Sequence, residues 1–107
     1  MKTKIDRIEE FNSFIGFAEK SVEDLDKLGF FTAPASTRFH GAYEGGLFDH
    51  SLEVTKTLVD LTEKLDLKWS RPISPKIVGM FHDLCKCDNY VWDIESDKYK
   101  YNPDIII

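Results

Sequence analysis

An apolar segment that ends in charge constrains this chain most strongly. Ser74 and Pro75 begin the segment in the way typical of a helix start, because serine can accept free amide hydrogens and proline needs no N–H there. Apolar residues then recur at helical spacing over about 75–87: Ile77, Val78, Phe81, Leu84 and Cys85. His82 and Asp83 stand side by side in this predicted, mostly buried helix. Two such polar groups cost free energy unless they are satisfied, and a divalent cation would satisfy both.

Composition limits the classes of protein that fit. The chain has 107 residues, 42% of them hydrophobic, enough for one small domain with a real core. Cys85 and Cys87 are too close for an easy mutual disulfide, which favours a reducing, cytoplasmic setting. We see no signal peptide and no apolar run of the roughly 20 residues that a membrane-spanning helix needs. The net charge of −5 argues against bulk attraction to duplex nucleic acid, although an enzyme could still take a nucleotide or a strand end.

The remaining pattern predicts an all-α fold of about four helices with a small C-terminal β-hairpin. Besides 75–87, we expect helices over about 5–20, 21–29 and 47–66. The first of these has an apolar face around Phe11, and a capping box at Ser21 opens the second. The inner stripe of the helix over 47–66 is expected to contain Leu47, His50, Val54, Leu58, Leu61 and Leu65.

Two further segments lack helical periodicity. Residues 30–46 are rich in glycine and form an irregular loop, and a long loop in a small domain is often functional. Residues 90–102 alternate β-forming side chains on either side of a polar turn and predict the hairpin. The chain then ends in Ile105, Ile106 and Ile107, which we expect to be buried against a partner, for example in a homodimer, or to continue into a longer protein.

His50, His82 and Asp83 come from two helices that we expect to be neighbours. Imidazole nitrogen and carboxylate oxygen suit Mn²⁺, Fe²⁺, Ni²⁺ or Zn²⁺ better than Ca²⁺. Such an ion polarises a phosphoryl oxygen and lowers the pKa of bound water. A single helical histidine is usually a core residue, but the adjacent histidine–aspartate pair, the glycine-rich approach and Lys86 all favour a metal site.

Two motifs carry a family resemblance. Residues 39–51 contain the pattern H-x-x-Y-x-G-G-L-x-x-H, and residues 82–86 read H-D-x-x-K. Together they resemble the HD-domain superfamily of metal-dependent phosphohydrolases, and the subset that includes HD-type exoribonucleases and many bacterial and phage hydrolases. The resemblance covers about residues 35–92 and implies an HD-type helical bundle. It also implies hydrolysis of a nucleotide or nucleic-acid phosphoester through a metal-activated water.

The resemblance assigns roles to single residues at the metal. His50 matches the first metal ligand, and His82 with Asp83 matches the doublet that gives the family its name. Lys86, one turn further on, would stabilise negative charge on the phosphate or orient the attacking water. The ion would be Mn²⁺, Fe²⁺, Ni²⁺, Zn²⁺ or Mg²⁺. His40 would donate a proton to the leaving group or act as an outer ligand.

The glycine-rich approach would provide the substrate contacts. Arg38 and Tyr43 would lie at the mouth of the pocket, and the helix start at Gly45 and Gly46 would cradle a phosphate. The substrate would be a phosphate-containing small molecule or a nucleic-acid end, with no membrane partner.

The chain departs from the family after Cys87. The final metal-ligating aspartate of the family lies on a later helix, whereas the later acids here fall in the predicted hairpin and tail. The chain therefore looks like the N-terminal part of such a domain, with weak or absent activity. We keep three alternatives: a structural zinc site of His50, His82, Cys85 and Cys87, nucleophilic catalysis by Cys85, and a non-catalytic nucleotide-binding or dimerisation module.

Overall fold

The computed structural model describes residues 2–37 and 41–103, which form four α-helices and a small hairpin. The helices are α1 (Lys4–Phe14), α2 (Glu19–Leu28), α3 (Gly46–Lys64) and α4 (Ser74–Phe81). A short 3₁₀ helix, Leu84–Asp88, leads into β1 (Tyr90–Asp93), which pairs antiparallel with β2 (Lys98–Tyr101). The predicted fold class is confirmed. None of the described helices has the length and apolar character needed to cross a membrane.

The bounds of the first two helices were predicted wrongly. Instead of running over 5–20, α1 ends at Phe14, and α2 begins at Glu19 before the predicted cap at Ser21. Gly16 explains the break, because its φ of 71° is a left-handed conformation that glycine adopts easily. The cap that the structure does use is at the other end of α1, where Thr3 and Asp6 form a reciprocal capping box.

Phenylalanine side chains fill the core, and two of them come from the segment predicted as an irregular loop. Phe11, Phe30, Phe31 and Phe48 are fully buried. The ring of Phe11 meets the other three edge-on, with centroids 5.6 to 6.5 Å apart. The start of the predicted loop over 30–46 is therefore part of the hydrophobic core, where it packs against Phe48 of α3.

The buried face of α3 differs from the predicted stripe. It consists of Gly46, Leu47, Phe48, Ser51, Leu52 and Thr55. Only Leu47 of the predicted set is fully buried, whereas Leu61 is 42% and Leu65 is 64% exposed. Helical period alone gives two apolar stripes on this helix, and the core contacts the one that runs through Phe48 and Leu52. The second stripe, which contains Val54 and Leu58, is left on the surface of the described chain.

Helices α3 and α4 cross at very short range. A Cβ atom on Gly79 would lie 2.8 Å from Cα of Thr55, which is closer than real Cβ atoms approach. Thr55 is fully buried at the crossing, and its hydroxyl donates to the carbonyl of Ser51 at 2.6 Å. Small side chains at these positions let the two backbones come together, and this places the end of α4 beside the start of α3.

The ends of α4 also differ from the prediction. Ile73 occupies the N-cap position and Ser74 provides no capping bond, while Pro75 lies in the first turn as expected. The helix ends at Phe81 rather than 87, and His82 and Asp83 form the turn before the 3₁₀ helix. The segment over 75–87 is also less buried than predicted, and Val78 within α4 is 50% exposed.

A partly buried ion pair between Arg7 and Asp49 holds α1 against α3. Arg7 donates from Nε and Nη2 to the two carboxylate oxygens of Asp49 at 2.9 and 3.0 Å, and the hydroxyl of Tyr43 donates to Asp49 at 2.8 Å. Burial alone would raise the pKa of Asp49, but these hydrogen bonds and the nearby positive charges lower it below its ordinary value. This carboxylate therefore stabilises the fold in its ionised form.

We predict that Gly79→Ala weakens the helix crossing. The added methyl group should lower the free energy of unfolding by about 1–3 kcal/mol through overpacking, in spite of the higher helix propensity of alanine. Urea unfolding followed by circular dichroism measures this change. Val78→Ala, at the adjacent and exposed position of α4, is the matched control and should change stability far less. Stabilisation by Gly79→Ala would contradict the close crossing.

We also predict an acid-sensitive contribution from Asp49. Its folded-state pKa lies below the ordinary 3.8, so the stabilisation is complete above that value and is lost as the pH falls through the folded pKa. Asp49→Asn should cost about 1–3 kcal/mol at pH 7 and progressively less below pH 4. Asp60→Asn, which removes an exposed pair with Lys64, should cost little at any pH. Unfolding curves at pH 2 to 7 distinguish these outcomes. If the loss in free energy of unfolding caused by Asp49→Asn did not depend on pH, the ionised form of Asp49 would not be what stabilises the fold.

Candidate metal centre

The structure brings His50, His82 and Asp83 together at the crossing of α3 and α4. His50 lies in the second turn of α3, and the other two form the turn that follows α4. Oδ2 of Asp83 is 3.6 Å from Nε2 of His50 and 3.1 Å from Nε2 of His82. One potential ligand atom from each residue lies within 4.8 Å of the others. The three residues that the sequence predicted as metal ligands are therefore neighbours.

The orientation of His82 is set by the backbone of α4. Its Nδ1 lies 2.7 Å from the carbonyl oxygen of Gly79, and since a carbonyl can only accept, Nδ1–H must be the donor. In the neutral ring, Nε2 then carries a lone pair that faces the carboxylate of Asp83. Two acceptors that face each other repel unless a proton or a cation lies between them. The same backbone bond is the outer-sphere contact that fixes metal-binding histidines in many proteins.

These residues fit a divalent transition metal. Donor atoms that share an ion at about 2.0–2.2 Å from it lie roughly 3–4 Å apart, and the two measured distances to Asp83 fall in this range. Two imidazoles and one carboxylate suit Mn²⁺, Fe²⁺, Ni²⁺ or Zn²⁺. Three protein ligands leave coordination positions open, as catalytic sites require.

The cluster is accessible from solvent. The side chains of His50, His82 and Asp83 are 36%, 33% and 20% exposed, so solvent and small molecules can reach them. The sequence had predicted a deeper position in a buried helix. The early end of α4 explains the difference, because a turn at the surface carries two of the three groups.

Lys86 completes the cluster. Its amine lies 3.7 Å from Oδ2 of Asp83, three residues further along the chain in the 3₁₀ helix. The carboxylate of Asp83 is thus approached by two imidazoles and one ammonium group. Lys86 balances part of its negative charge, and it lies close enough to meet an anion that approaches the same point.

Tyr43, Gly45 and Gly46 have structural contacts in the described chain. The hydroxyl of Tyr43 donates a hydrogen bond to Asp49, and both residues line a separate cavity together with Arg7. The amides of Gly45 and Gly46 donate to the carbonyls of Thr32 and Tyr43, each at 2.9 Å. A side chain at Gly46 would overlap the carbonyl of Gly41. Close packing therefore accounts for these glycines, and their role in substrate binding stays a prediction.

The other predicted residues divide into two groups. Arg38 and His40 lie outside the described residues, as does the isoleucine tail over 105–107. Cys85 is exposed and Cys87 is partly buried, and within the described ranges neither belongs to the group of potential metal ligands. Burial, with the nearby Asp88, raises the pKa of Cys87 to about 11, which disfavours the thiolate that zinc would need. The role of Cys85 as a nucleophile stays a hypothesis.

Comparison with known proteins finds similarity to part of one phosphodiesterase. An alignment over 62 residues, which covers 55% of the chain, is 32% identical to dihydroneopterin 2′,3′-cyclic phosphate phosphodiesterase of Methanocaldococcus jannaschii. The match covers 25% of that protein, so the chain spans about a quarter of the length of this relative. No family model matches the chain, and no solved structure does. The chain is thus similar to part of a phosphodiesterase, and the HD superfamily remains a resemblance of motifs.

We predict that the cluster binds one Mn²⁺ ion per chain. His82→Ala and Asp83→Asn should each weaken binding by about 100-fold or more, since outer-sphere changes alone commonly cost 10- to 100-fold. Isothermal titration calorimetry measures the affinity, and circular dichroism confirms that the variants fold. Asp88→Asn, at an exposed acid just beyond the cluster, is the control and should bind normally. Equal affinity in all four proteins would place the ion elsewhere.

Proposed function

We propose that this chain is an HD-type phosphohydrolase domain that uses a divalent cation held by His50, His82 and Asp83. The observation that carries the proposal is the convergence of two imidazoles on the carboxylate of Asp83, with Lys86 beside it. Partial similarity to a cyclic phosphate phosphodiesterase supports the reaction class. The H-D-x-x-K and H-x-x-Y-x-G-G-L-x-x-H motifs support the HD type and, with it, the requirement for a metal.

The charges of the cluster suit a phosphate. Asp83 carries one negative charge and Lys86 one positive charge, so a bound divalent ion would leave the site with net positive charge. When bound, the ion would polarise the phosphoryl oxygen and lower the pKa of water. Since the chain as a whole has a net charge of −5, attraction of the substrate depends on this local field rather than on overall charge.

The side chains around the ion have separate tasks. The carbonyl of Gly79 holds His82 with Nε2 towards the centre, and this orientation requires no rearrangement when a ligand arrives. Lys86 contacts the phosphate and stabilises the negative charge that grows in the transition state. By resemblance, His40 would protonate the leaving oxygen, and Arg38 with Tyr43 would contact the substrate at the mouth of the site.

The substrate is proposed to be a nucleotide or a nucleic-acid end, with a cyclic phosphodiester as the first candidate. The name of the M. jannaschii relative specifies a 2′,3′-cyclic phosphate, and the three-ligand cluster is open enough to admit a compact phosphodiester. A phosphodiester also has only one negative charge, which one ion and one lysine can balance.

We predict Mn²⁺-dependent hydrolysis of bis(p-nitrophenyl) phosphate and of guanosine 2′,3′-cyclic phosphate. His82→Ala and Asp83→Asn should abolish turnover, whereas Lys86→Met should lower kcat about 10²-fold and leave Mn²⁺ affinity nearly unchanged. Lys98→Met, at an exposed position of the hairpin, is the matched lysine control and should leave kcat and Mn²⁺ affinity unchanged.

Two results would contradict this proposal. Turnover that survives both His82→Ala and Asp83→Asn would separate the activity from the cluster. Tight binding of Mn²⁺ and nucleotide without hydrolysis of either phosphodiester would favour the alternative of a nucleotide-binding module.

A further inference from the structure

A groove runs from the metal centre along the exposed side of α3. It has a volume of about 500 Å³ and is lined by His50, Glu53, Val54, Thr57, Leu58 and Leu61. These positions follow one another at helical spacing, so they form one continuous face about 16 Å long. His50 is at one end and also belongs to the metal cluster. A ligand at the His50 end of the groove therefore lies next to the centre where the phosphate is proposed to bind.

The floor of the groove is aliphatic but not covered. Val54 and Leu58 are half-buried, and Leu61 is 42% exposed, within the second apolar stripe of α3. Apolar surface exposed next to convergent polar groups is typical of a ligand site. A flat ring would remove this surface from water without any change in the helix.

The polar groups of the groove define what kind of ring fits. Glu53 is the single carboxylate among the side chains that line the groove, and it is exposed to solvent. A carboxylate accepts hydrogen bonds and donates none, so it favours a ligand edge with neighbouring N–H groups. It also repels a second anion, which disfavours a diphosphate or triphosphate that extends along the groove.

We infer that this groove binds the uncharged nitrogen heterocycle of a substrate that has a single phosphoester, with Glu53 accepting hydrogen bonds from N–H groups on one edge of the ring. The inference rests on the proposed function for the position of the phosphate. Among phosphoesters, the groove is then expected to prefer those whose ring has neighbouring N–H groups on one edge, as guanine has.

Guanosine is the probe, because it has N1–H and a 2-amino group but no phosphate. It should bind the full chain without metal and shift the NMR signals of Val54 and Leu58. Glu53→Gln should weaken this binding about tenfold, as expected for loss of charge-assisted hydrogen bonds. Glu63→Gln, an exposed position of α3 outside the groove, should bind as the unmodified protein does. Adenosine lacks the donor pair, so its weaker binding should not depend on Glu53.

Three results would overturn the inference: no guanosine binding, equal affinity of the protein and its Glu53→Gln variant, or shifts that lie away from α3. Self-association that buries Leu61 in the absence of nucleoside would also overturn it, because a second copy would then be the occupant. Hydrolysis of bis(p-nitrophenyl) phosphate without guanosine binding would refute ring binding in the groove and leave the proposed function standing. Guanosine binding without any phosphodiester turnover would refute the proposed function and leave ring binding in the groove standing.

Discussion

The close crossing of α3 and α4 at Gly79 determines the geometry of the candidate site. Because Gly79 has no side chain, its backbone can lie against Thr55, and this brings the imidazole rings of His50 and His82 to 5.8 Å between centroids. The carbonyl of the same glycine accepts the Nδ1–H bond that orients His82. One small residue thus sets both the separation of the two helices and the direction in which Nε2 of His82, a candidate metal ligand, points. A side chain at this position would disturb both together.

The second determinant is electrostatic. Asp83 is shared by two imidazoles and the amine of Lys86, and the fixed tautomer of His82 leaves two acceptors facing each other at 3.1 Å. These facing acceptors are unfavourable in isolation, and they become favourable when a cation lies between the two imidazole nitrogens and the carboxylate. The fold supplies this polar cluster at the surface, while the phenylalanine core and the Arg7–Asp49 pair hold the helices that carry it.

The sequence predicted more of the site than of the packing around it. Motif spacing selected His50, His82 and Asp83, and the structure places them together even though His82 and Asp83 lie in the turn after α4 rather than on the predicted helix. The buried face of α3 was harder, since the period alone does not tell which of two apolar stripes meets the core. The break after α1 follows from the left-handed conformation of Gly16, and helical period alone does not mark the end of α4 at Phe81. Arg7 and Asp49 are 42 residues apart, and no local pattern pairs them.

A crystal soaked in Mn²⁺ and measured at the manganese absorption edge tests whether His50, His82 and Asp83 hold one ion together. We expect one anomalous peak at about 2.0–2.3 Å from Oδ2 of Asp83 and from Nε2 of both histidines, with Nδ1 of His82 still bonded to the Gly79 carbonyl. A peak at other side chains, or an ordered cluster without any peak at millimolar Mn²⁺, would contradict it.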